Sequence, residues 1–156
     1  MSQWYNKVIR DLSNISDFIH YYEGELEDAK RELSLRDKKT IERHSSELPG
    51  IVENRYRQLQ EVESVLEHLN ISLKKKRAEV FKKFLENYQR QLTSRDCEKY
   101  TDGDIDVVAL TELVNEVALL RNKYIGLYKG LEQKGWMISH IVKLRSAGLE
   151  DITIDQ

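Results

Sequence analysis

The chain has one cysteine, one proline and no long apolar run, and each scarcity closes off a class of protein. Cys97 alone builds no internal disulfide framework and fits a reducing compartment. No stretch approaches the roughly 18 apolar residues of a membrane span. The opening "MSQWYNKVIRD" does not read as a signal peptide. A soluble, cytoplasmic protein with no membrane partner is therefore expected. Seven glycines in 156 residues leave little turn chemistry, and no segment alternates with the period of two that marks a strand. The net charge of −2 supplies no global basic field, so any attraction to a polyanion must be local. What remains is a chain 33% charged and 40% hydrophobic, rich in Leu, Glu, Lys and Arg, the composition of long helices or coiled coils.

The apolar residues repeat accordingly. Val8, Leu12, Ile15, Ile19, Tyr22, Leu26, Ala29 and Leu33 follow one another at spacings of three and four, an a/d seam. It fades into "LRDKKTIERHSSELPG", where Pro49 and Gly50 predict a break. A second segment, about 51–92, carries Leu59, Val62, Leu66, Leu69, Leu73, Val80, Phe84 and Tyr88, with Lys76 where another apolar residue is due. "SRDCEKYTDGDID" (94–106) reads as an acidic loop with an Asp-Gly turn, and Asp104 or Asp106 as the cap of the next helix. That helix carries Leu110, Leu113, Val117, Leu120, Tyr124, Leu127 and Leu131. Gly135 predicts its end or a kink, followed by a short final helix, 136–145, closed by Gly148. Gly126 and Gly130 either admit a close neighbour or loosen the helix, at about 1 kcal/mol each relative to Ala. The fold class is all-α: long helices with heptad seams, a helical hairpin, a short C-terminal helix and an oligomeric assembly to cover the apolar surface.

The stretch "LKKKRAEVFKKFLENYQR" (73–90) interrupts this pattern with charge. At about 100° per residue, Lys75, Lys76, Lys82, Lys83 and Arg90 fall within an arc of roughly 120° opposite the apolar seam. Residues 70–95 hold eight Lys or Arg against Glu79 and Glu86. Those acids sit in the same arc and can pair with lysines at i,i+4. Two acids leave a surplus of bases, so the arc is either a salt-bridged solvated face or a phosphate-binding surface, with Tyr88 nearby for base stacking. Residues 96–116 carry seven acids and one Lys. They have three candidate targets: the basic stretch of a neighbouring subunit, a second protein, or the chain's own basic face in competition with DNA.

Enzymatic signatures fail one by one. His20, His44, His68 and His140 are scattered and share no metal-ligand spacing with Cys97. "DGDID" lacks the glycine and the twelfth-position acid of a calcium loop. P-loop, G-x-S-x-G and H-E-x-x-H motifs are missing from the sequence. Cys97 lies between Asp96 and Glu98, which disfavours a thiolate. No catalytic residue, metal or cofactor is expected.

The final segment, "KGWMISHIVKLR" (134–145), resembles the C-terminal signature of the UvsY family of phage recombination mediators. Lys134, Gly135, Trp136, Ile138, His140, Ile141, Leu144 and Arg145 match it in order. A second match is similar to that family's DNA-binding motif, K-x-R-L-D/E-Y-Y. Lys82, Leu85, Glu86 and Tyr88 agree with it, while Phe84 stands in place of the arginine and Asn87 in place of the first tyrosine. Lys83 is the nearest substitute for that arginine.

The resemblance spans about residues 50–150 and implies a non-enzymatic, ring-like homo-oligomer that binds single-stranded DNA. Such proteins help load a RecA-like recombinase onto DNA covered by single-strand-binding protein, here in the host cytoplasm if the chain is phage-encoded. Combined with the basic arc read from helical angle, the resemblance points to DNA contacts by Lys75, Lys76, Lys82, Lys83, Arg90 and Tyr88, of which Lys82 and Tyr88 match the motif itself. Trp136, Met137, Ile141 and Leu144 would make the oligomer contact, or else pack on the third helix of their own chain. The expected organisation is an N-terminal coiled-coil-like segment (1–48), a core (49–150) and a tail (151–156). A coiled-coil scaffold with no nucleic-acid role is the competing expectation.

Overall fold

The computed structural model describes residues 3–36, 39–87 and 92–148. Among them the regular structure is entirely helical, as the seams require. The helices are α1 (Gln3–Arg10), α2 (Ile15–Ala29), α3 (Ile41–Asn87), α4 (Ser94–Asp102) and α5 (Ile105–Ser146), with 3-10 turns at Leu12–Asn14 and Lys30–Leu33. The chain divides into two compact units: Met1–Tyr22 with Gln60–Asn122, and Glu23–Leu59 with Lys123–Gln156. Helix α3 contributes residues 60–87 to the first and 41–59 to the second.

The first unit buries Val8, Ile15 and Phe18 together with Val62, Val65, Leu69, Val117 and Leu120. Phe18 is off the expected seam yet fully buried, because its ring meets Trp4 edge-on and lies 4.8 Å from the ring of Tyr22. Tyr22 donates its hydroxyl hydrogen bond to Glu61, which also accepts from the Tyr5 amide. The N-terminal seam is therefore not one helix. Asp11 accepts from the Ser13 amide and starts a 3-10 turn between α1 and α2, a local side-chain bond that competes with helix continuation.

The second unit is organised around a cation. Arg55, its side chain only 7% exposed, forks onto both oxygens of Glu32 at 2.7 and 2.9 Å and reaches Glu25 at 2.9 Å. The Gln58 amide closes the ring by donating to Glu25 at 2.8 Å. Gln58 and then Arg55 hold the Glu25 carboxyl below its ordinary range against the opposing effect of burial. Nearby, hydrogen bonds from Lys39 and Arg43 pull Glu47 down to about 2.

Three expected interruptions are corrected. Pro49 lies inside α3 without ending it. The carbonyl it leaves without its helical partner belongs to Ser45, an exposed residue where water can serve. Leu48, the position a following proline disfavours, packs against Gly135. Gly135 accordingly does not end or kink the third helix into a separate short one: α5 runs unbroken to Ser146, and the missing Cβ admits Leu48, whose Cδ2 would lie 3.4 Å from it. Finally, 94–102 is helix α4 rather than loop. Thr93 accepts from the Asp96 amide and returns its hydroxyl to the Asp96 carboxylate, a reciprocal cap. Its buried side is made by Cys97 and Thr101. The Asp-Gly turn follows at Gly103, and Asp104 caps α5 by accepting from the Asp106 and Val107 amides. Gly148, with φ of 69°, closes it as expected.

The two paired glycines differ. A Cβ at Gly130 would meet Leu33 at 2.9 Å, whereas Gly126 has open space. Gly126→Ala should therefore raise stability by about 0.5–1 kcal/mol, and Gly130→Ala by less because Leu33 must move; urea titration orders the two. Arg55→Met should cost about 2 kcal/mol by leaving two carboxylates without their cation, and Glu32→Gln in that background should recover part of it. Because Glu25 and Glu47 titrate lower when folded, their stabilisation is full above the ordinary 4.5. It is lost as pH falls through the folded values, so the urea midpoint should drop between pH 4.5 and about 2.

Candidate nucleic-acid interface

The basic stretch lies on α3 within the first unit, and its lysines meet different fates. Lys76, at the gap in the seam, is half-buried and bonds Asp106 at 2.6 Å. Its methylene stem can lie along the seam while the ammonium group reaches out to the carboxylate, and that bond keeps its proton above the ordinary lysine range. Arg77 pairs with Asp102 at 2.7 Å. Lys82 lies 3.8 Å from Glu86, both well exposed, a geometry contributing a few tenths of a kcal/mol at most. Lys74, Lys75 and Lys83 are exposed, and among the described residues no carboxylate forms an ion pair with them. Arg90 and Tyr88 lie outside the described residues.

Of the expected DNA contacts, Lys75, Lys82 and Lys83 are thus brought to one solvent-facing side, and Lys76 is turned to a structural pairing. Lys74 joins the exposed set from the flank of the arc. The acids of α4 and the start of α5 meet bases of their own chain at Lys76 and Arg77. The aromatic at the altered motif position, Phe84, stacks on Tyr100 of α4 with centroids 5.6 Å apart. A contact between two segments so far apart in sequence has no periodic signal that would reveal it.

In the second unit the segment 134–145 presents two faces. Lys134 and Ile138 are buried, and the Lys134 ammonium donates to the carbonyls of Glu32 and Ser34 at 2.7 and 3.0 Å. It thereby ties down the end of the 3-10 turn after α2. Trp136, Met137 and Leu144 are 66%, 52% and 50% exposed, with Ile141 half-buried at the stripe's edge. Packing on the helix that carries Leu110–Leu131 is no option for them, since both segments are one helix, α5. His140 lies in the same exposed stripe, and Lys143 flanks it. Large apolar side chains gathered on one helical face mark an interaction surface.

No family model, curated protein or solved structure matches the chain. Among the described residues no three His, Cys, Asp or Glu side chains converge as a metal site, and no helix is long and apolar enough to cross a membrane.

If the exposed stripe is a contact between copies, Trp136→Glu with Leu144→Glu should reduce the molar mass measured by light scattering while helicity by circular dichroism stays unchanged. These side chains are exposed in the single chain, so their loss leaves its core intact.

Proposed function

We propose that the protein is a recombination mediator: a homo-oligomer that binds single-stranded DNA and helps a RecA-like recombinase displace single-strand-binding protein. The observation that carries this reading is the exposed set Lys75, Lys82 and Lys83 on one side of α3, with Lys74 exposed at its flank. Three of these have no ion-pair partner among the described residues, even though acids lie close enough to take up Lys76 and Arg77. The resemblance of 134–145 to the UvsY signature supplies the biological context. A cluster of four lysines binds a phosphate chain weakly by itself. A ring-like assembly through the Trp136 stripe would repeat it and gain avidity without new contacts.

The scaffold reading draws support from one feature of the same region, the use of Lys76, Arg77 and Lys82 in ion pairs within the chain. It predicts an oligomer indifferent to nucleic acid.

The two are separated by measuring affinity for a short single-stranded oligonucleotide across a salt series, with mass followed by light scattering. Binding should weaken steeply with salt. Lys82→Glu with Lys83→Glu should remove two phosphate contacts per subunit, lowering the log–log slope by about 0.7 for each. Absence of detectable binding at low salt by the assembled protein would sink the mediator reading and leave the scaffold.

A further inference from the structure

A groove of about 330 Å³ opens between α3 and α4, lined by Arg77, Ala78, Phe81, Glu98 and Thr101. We infer that it is a nucleobase subsite: one unstacked base of the bound strand lies against Phe81 beside the Arg77 guanidinium, with its phosphates on the neighbouring lysines. This rests on the single-stranded-DNA reading above and adds the place where the base goes.

The helical register brings the parts together. Lys74, Arg77 or Ala78, and Phe81 follow at i, i+3 or i+4, and i+7, so they share one stripe of α3. Lys82 lies one turn beyond Ala78. A strand whose phosphates reach Lys74 and Lys82 therefore passes over the groove. The volume is at the lower end of the roughly 300–1,000 Å³ of small-molecule sites and suits a single planar ring system.

The charges choose the base over the phosphate. Glu98 on the groove and Asp102 behind Arg77 repel an anion, whereas a neutral base meets an aromatic ring and a guanidinium plane. Both are surfaces on which unpaired bases stack. The Arg77–Asp102 bond of 2.7 Å, between half-exposed side chains, biases the guanidinium toward one placement, which lowers the ordering cost of binding slightly. The buried Thr101 hydroxyl donates its proton to the Cys97 carbonyl at 2.7 Å and so has none to give a base. Recognition then rests on stacking, and Glu98 remains as an acceptor for a base N–H.

The test uses the full chain and two short oligonucleotides of equal length, one normal and one with abasic sites throughout, titrated by fluorescence anisotropy across salt. Phe81→Leu, which retains apolar packing, and Phe81→Ala should each weaken binding of the normal strand by roughly 5- to 100-fold. The salt slope should be unchanged, because no phosphate contact is lost. Phe81→Tyr should bind as the native protein does. The abasic strand should bind the native protein as weakly as the normal strand binds Phe81→Leu, and the Phe81→Leu protein should not distinguish the two. Native-like affinity in Phe81→Leu, or an equal abasic penalty in both proteins, would overturn the subsite while the DNA reading stands. No binding of the normal strand by the native protein at low salt would overturn both.

Discussion

Lys76 stands at the position of α3 where the apolar seam calls for a hydrophobic residue, and its ammonium group reaches out of the seam to an anion. Asp106 supplies it at 2.6 Å, at the first turn of α5. Arg77 and Asp102 add a second pairing one residue along, at the last turn of α4. These two bonds join α4, the turn at Gly103 and the start of α5 to the same turn of α3. They also set which charges remain for other uses, since Lys76 and Arg77 take up the acids nearest the basic stretch. Lys74, Lys75 and Lys83 are exposed and reached by none of these acids, and the candidate interface is what this pairing leaves over.

The second unit follows a related rule with stronger desolvation. Arg55 is almost wholly buried and has both a bidentate carboxylate and a second acid. Lys134 is buried and bonds two carbonyls at the end of a 3-10 turn. Buried cations need such saturation, since an uncompensated one costs several kcal/mol. In both cases the partner comes from residues 23–34, so the N-terminal part of the unit is held by polar geometry as well as by Leu26 and Ala29. The signature segment 134–145 thus divides its labour. Its inward residues fasten the chain to itself, and Trp136, Met137 and Leu144 are left exposed.

Much of the fold was legible from periodicity. The seams at 59–69 and 117–131 are buried as spaced, Asp104 caps α5, and Gly148 ends it. The misreadings share a cause. Pro49, Gly135 and the acidic run 94–102 carry strong local signals for interruption, and a tertiary or capping contact outweighs each of them. Leu48 fills the space that Gly135 leaves, and Ser45 is placed where its carbonyl can reach water. Thr93 and Asp96 cap a helix whose buried side is Cys97 and Thr101, residues that a count of large apolar side chains passes over. In the candidate site, the grouping of Lys75, Lys82 and Lys83 followed from angle alone. The diversion of Lys76 into an ion pair and the groove beside Phe81 did not, since both depend on which helix packs alongside.

The sequence alone determined that the chain is helical, that its charge is segregated, and that one face of 73–87 is basic, because these properties follow from the 3.6-residue period acting within a single segment. Tertiary structure decided where helices continue through proline and glycine, which lysines are neutralised, and which apolar side chains are left uncovered. Those outcomes depend on desolvation and on contacts between residues far apart in the chain, which no local pattern encodes.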